Sequence, residues 1–173
     1  YLQGKYNLGG VETGLYAMFP LIAGAVGNWT SGFLVDGIYR KGNWVGSRRI
    51  PAIIGFSLTA FGMLMMPYVN TPLASIIFLS IAIFGADMTL SPSWSFCIDI
   101  GKEHAGAVSG TMNMAGNFLG AFVTMLAFPY LLAWTGSHNP FFFVCVGLAL
   151  IAIFLWTLMK PDKPLEKEIP LER

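Results

Sequence analysis

The chain has 173 residues and a formal net charge of +1, with 55% hydrophobic and only 11% charged residues, where a soluble domain carries about 25% charged. That balance excludes a water-soluble globular domain and gives no electrostatic case for binding nucleic acid. A mean hydropathy of +0.63 points instead to a lipid bilayer as the main solvent.

Asp, Glu, Lys and Arg are missing from Thr13 to Val35, from Ile50 to Ala86 and from Ala105 to Met159. An apolar helix needs about 20 residues to cross a hydrocarbon core about 30 Å thick, so the second and third gaps each hold two spans. The expected fold is all-α: a polytopic membrane protein with about five transmembrane helices. The chain opens with Tyr-Leu-Gln-Gly rather than Met and shows no basic segment followed by a cleavage site. It therefore reads as a fragment without upstream helices.

Residues 1–10 are expected to form a helix end and a short polar loop, and Val11 to Asp36 the first complete span, with Glu12 and Asp36 at its watery ends. Arg40, Lys41, Arg48 and Arg49 crowd the next loop, at 37–50, and Pro51 suits the first turn of a second span that runs to about Met66. After a turn at 67–72, a third span runs to Ile98 and carries Pro92, an expected kink, because proline removes a backbone donor and clashes with the preceding turn. A polar loop at 99–104 leads to a fourth span over 105–134. A fifth ends at Lys160, and the tail 161–173, alternating charge and proline, is expected to be disordered. Placing the basic residues loop by loop leaves Lys5 alone on one side, so the loops at 37–50 and 99–104 and the tail are expected to be cytoplasmic.

Few residues in the apolar spans are polar, and those few are the functional candidates. In the fourth span Gly106, Gly110, Asn113, Gly116, Asn117 and Gly120 share an arc of about 120°, with Phe118, Phe122, Val108 and Leu119 opposite. Such a stripe serves close helix packing, or its amides line a watery cavity suited to a hydroxylated anion. Asp87 is a carboxylate far from either interface; burying its charge in hydrocarbon would cost about 3 kcal/mol or more. It shares a helical face with Ser80, Ser91 and Trp94. It reads either as a coupling site or gate, or as a structural carboxylate bonded to its neighbours. In Ser91-Pro92-Ser93-Trp94-Ser95 an interrupted helix offers hydroxyls and an indole to a solute, or the serines satisfy carbonyls the proline orphans.

Other chemistry finds little support. Cys97 and Cys145, both in apolar stretches, argue against a disulfide framework or thiolate metal site, so no metal or cofactor is expected. His104 and His138 are isolated, and no phosphate loop, catalytic triad or carboxylate pair occurs, so no catalytic residue is assigned. Asn28-Trp29-Thr30 fits the glycosylation pattern but lies inside a span, which makes the match accidental.

Gly32-Phe-Leu-Val-Asp36, followed by Arg40-Lys41 and Arg48-Arg49 between two spans, resembles the cytoplasmic-loop motif of the major facilitator superfamily, with an insert in its basic part. The longer loop is similar to that of the anion:cation symporter family. The stretch from Trp94 through Asp99, Ala105-Gly106, Gly110 and Asn113 to Gly116-Asn117 resembles the same family across the junction of its tenth and eleventh helices. The resemblance covers nearly the whole chain. It implies helices 8–12 of a twelve-helix carrier, residues 1–160 forming part of its carboxy-terminal half, in the plasma or inner membrane. It further implies alternating access and import of a sugar acid driven by a proton or sodium gradient. By motif it carries substrate contacts onto Ser91, Ser93, Trp94 and Asn113, although on an unbroken helix Ser93 points away from Asp87. The family's coupling acids and binding arginine belong to the amino half, the chain's missing partner, so the resemblance assigns no role to Asp87. A neutral sugar or drug carrier, or a membrane receptor or scaffold, is the alternative.

Overall fold

The computed structural model describes residues 5–6 and 9–165. Its helices are α1 (Gly10–Arg40), α2 (Trp44–Met65), α3 (Pro72–Met88), α4 (Leu90–Gly101), α5 (Ala105–Phe122), α6 (Phe128–Thr135) and α7 (Asn139–Leu158). Local chemistry sets their ends. Asn43 Oδ1 accepts the Gly46 N–H at 2.8 Å and starts α2, and Thr71 caps α3 with Pro72 at its first position. Gly136 closes α6 at φ 66°, a conformation that suits glycine, with its N–H on Leu132 O at 2.8 Å. Because Asn43 is a cap, α2 begins seven residues before Pro51, and most of the expected basic loop is helical: Arg40 ends α1, while Arg48 and Arg49 lie near the start of α2.

Four helical runs among the described residues are long and apolar enough to cross a membrane, where five spans were expected. The difference lies in the 64-residue run Pro72–Thr135. Laid straight, such a helix would be about 96 Å long, three times the hydrocarbon thickness. The run folds back instead at Lys102, whose φ of 47° reverses the chain. Beyond it α5 returns along α4, with Cys97 Sγ 3.3 Å from Met112 Sδ. The run thus contains two legs.

The core is a trio of helices held at backbone distance. A β-carbon added to Gly55 would lie 2.6 Å from Gly85 O, one on Gly62 2.6 Å from Phe78 O, and one on Gly27 would collide with the Phe84 carbonyl. So α2 and α1 each lie directly on α3, with α7 outside α2. Thr59 Oγ1, on α2, lies 3.1 Å from Ala82 O and can donate across that crossing.

The two ends of the bundle differ. At one, Lys5 Nζ donates to Val69 O at 2.7 Å and Tyr6 OH shares a hydrogen bond with Ser75 Oγ at 2.7 Å. The other gathers the basic residues. Arg48 Nε donates to Asp99 Oδ2 at 2.7 Å, the Trp44 indole donates to the same oxygen at 3.0 Å, and the Arg48 guanidinium lies over the Tyr39 ring. Arg49 Nε donates to Met159 O at 2.8 Å. The start of the expected disordered tail is ordered there: Pro161 is fully buried and Leu165 N–H bonds Ile100 O at 3.0 Å. The rest of that tail, 166–173, and residues 1–4 and 7–8 of the expected amino-terminal loop lie outside the described residues.

Candidate functional site

Pro92 has the expected effect, displaced along the chain. The helix breaks at Thr89, between α3 and α4, because the proline ring crowds the carbonyl four residues earlier, that of Met88. Thr89 O then accepts both the N–H and the hydroxyl of Ser93, at 3.2 and 2.7 Å. Thr89 itself packs toward α2, its Cγ2 2.9 Å from where a Gly55 β-carbon would stand. The kink therefore does not turn Ser93 toward Asp87, and the Ser93 proton is committed to its own helix.

Asp87 and Ser91 lie on the other side, along the seam with α1. The Asp87 carboxylate occupies the space a side chain at Gly24 would need, and Ser91 Oγ stands 3.8 Å from a β-carbon built on Gly32. Neither side chain has a hydrogen-bond partner among the described residues. Trp94 follows on the same face and is 43% exposed. Of the predicted face, Ser80 alone is sealed: its Oγ is buried without a partner, beside Ala23, Leu58 and Phe84.

On α5 the outcome differs from close packing. Among the described residues nothing lies within 4 Å of β-carbons built on Gly106, Gly110, Gly116 or Gly120, so neither glycine pair brings a described helix close. Asn117 Nδ2 donates to Asn113 O and Oδ1, both at 2.9 Å, so the amides bond one above the other rather than across a helix contact. Both are exposed, as are Met114, Phe118, Leu119 and Phe122. Further on, α5 loosens into a π-helical stretch, Val123–Ala127, just before Pro129.

The loop motif divides into two parts. Gly32 belongs to the seam, whereas Asp36, Arg40 and Lys41 are exposed. Arg48 and Arg49 tie α2 to the ends of α4 and α7. Sequence reasoning missed the partners Asp99, Trp44 and Tyr39, and it missed the Gly55 and Gly85 crossing. The basic cluster was visible, but its acceptors lie about fifty and about a hundred and ten positions away in sequence.

Apolar helices of spanning length, folded on one another around a polar seam, define a multi-pass α-helical membrane protein. Residues 1–124 match the Major Facilitator Superfamily. The chain belongs to that superfamily. It is 30% identical over 172 residues to a probable sulfoacetate transporter of Cupriavidus necator, covering 96% of this chain and 40% of the relative. It is also 30% identical to a probable galactarate/D-glucarate transporter of Escherichia coli (94% of this chain, 36% of the relative). A third relative, a probable L-galactonate transporter of the same organism, is 26% identical (90% and 35%). The chain thus spans 40% or less of the length of these relatives. No solved structure gives a significant match.

Proposed function

We propose that this chain is part of a secondary active transporter of small organic anions, sugar acids foremost, working by alternating access with a proton or sodium ion as coupling partner. One observation carries the proposal: polar groups in otherwise apolar spans are left unspent by the chain's own packing. Asp87, Ser91 and the free amide hydrogens of Asn113 have no partners among the described residues. A polar group without a partner at membrane depth is costly unless it meets water or a solute. The solute class is taken from the names of three relatives, those of a probable sulfoacetate, a probable galactarate/D-glucarate and a probable L-galactonate transporter.

In this reading Ser91 and Trp94 on α4 and Asn113 and Asn117 on α5 hold the substrate, and Asp87 is a gate or coupling group. Ser93 has only lone pairs to offer. The residues from 1 to 160 would belong to one half of the carrier, the substrate closing between it and a second half, in the cell membrane with the basic end and tail in the cytoplasm.

The test is uptake by the full-length protein in proteoliposomes. Labelled galactarate is expected to accumulate under an imposed proton or sodium gradient and to be displaced by other sugar acids more effectively than by uncharged sugars. Asn113→Ala is expected to raise KM about tenfold, the effect of losing one hydrogen bond to a charged group. If no carboxylate accumulates under any gradient, the transporter reading fails. Stronger displacement by uncharged sugars would make the protein a neutral carrier.

A further inference from the structure

We infer that Asn28 is a further ligand-facing residue, set on α1 between Asp87 and Ser91 and suited to a hydroxylated acid rather than a bare carboxylate. The inference rests on the transporter reading and adds to it a residue that neither the sequence patterns nor the loop motif assigned a role.

The register of α1 on α3 and α4 places it. Gly24 meets Asp87, and Gly32 lies opposite Ser91. With Gly24 at zero, Asn28 falls at about 40° and Gly32 at about 80° around the helix, with about 6 Å of rise at each step. Asn28 is thus midway between the two contacts in both angle and height. The buried residues Pro20, Gly24, Gly27, Ser31 and Val35 fill an arc from about 300° to about 20°. Asn28 stands at the rim of that arc, on the Asp87 and Ser91 flank. On the opposite flank Ala23 turns toward Leu58 of α2.

Asn28 is exposed, and its amide has no partner among the described residues. An amide directed into hydrocarbon at mid-span would leave two donors and an acceptor unmet. Facing an aqueous route, it meets them. Its chemistry then orders the ligand. A carboxylate is repelled by Asp87 and is better placed by Ser91 and Trp94, whereas hydroxyl groups can donate to the Asp87 carboxylate and to Asn28 Oδ1. That arrangement recognises a chain of hydroxyls ending in an acid.

The experiment uses full-length protein in a cysteine-free background. Asn28→Cys is expected to react with a membrane-impermeant thiol reagent, galactarate is expected to slow that reaction, and Asn28→Ala is expected to raise the KM for galactarate three- to tenfold. An unreactive Asn28→Cys overturns the inference. So does an Asn28→Ala protein with unchanged KM, whatever the labelling. Where wild-type protein carries galactarate and Asn28 is silent, only this inference falls; where wild-type protein carries no carboxylate, the transporter reading falls with it.

Discussion

Gly85→Ala is expected to destabilise the protein by about 1–3 kcal/mol, the range seen when a packed core is given one group too many, and Gly85→Val by more. The reason is local. A β-carbon at Gly85 would collide with Gly55 O and lie 2.7 Å from Thr59 N and 2.8 Å from Leu58 Cβ. Two of those three atoms are backbone and cannot swing aside by changing rotamer, so α2 and α3 must separate. Separation also stretches the Thr59 contact with Ala82 O and the approach of Gly62 to Phe78 O. Thermal unfolding of the detergent-solubilised protein, followed by size-exclusion chromatography, measures the effect. An alanine variant as stable as wild type would mean that the crossing is looser than described.

Asp99→Ala is expected to cost about 1–3 kcal/mol, between the loss of an exposed ion pair and that of a fully buried one. Arg48 and Asp99 expose only 11% and 13% of their side chains, and Asp99 also accepts the Trp44 indole hydrogen. Removing the carboxylate strands a guanidinium and an indole N–H together. The double variant Arg48→Ala with Asp99→Ala is expected to be more stable than the sum of the single losses, because no charge is then left without its partner. A double-mutant cycle on thermal unfolding reads the coupling. Additive losses would show that the pair is as weakly coupled as an ordinary surface ion pair.

Much of the architecture was legible because water and lipid sort residues without regard to tertiary detail. The gaps between charges located the spans, and among the described residues the basic side chains other than Lys5 lie toward one end. What was not legible came from pairings between distant positions. Gly55 and Gly85 look like any glycines in apolar helices, and only the crossing reveals that each needs the other to be small. Asp99 was assigned to a polar loop because nothing nearby in sequence shows that Arg48 reaches it. Pro92 announced a kink, but its direction, and with it the placement of Ser93, depended on how Thr89 packs against α2. The α5 stripe was legible as either a packing face or a cavity lining, yet no partner for its glycines lies among the described residues. Asn28 was set aside for a pattern it fits only by accident, since its place opposite Asp87 and Ser91 depends on the register between two helices.

The stretch from Met159 to Leu165 bears on how the protein can be handled. Arg49 takes its carbonyl acceptor from Met159, Pro161 is fully enclosed, and Leu165 is tied to the last turn of α4. Splicing a fluorescent reporter or affinity handle directly after Leu158 would strip a guanidinium of its acceptor and open the base of the bundle, whereas a fusion joined downstream of Leu165 leaves that seal whole.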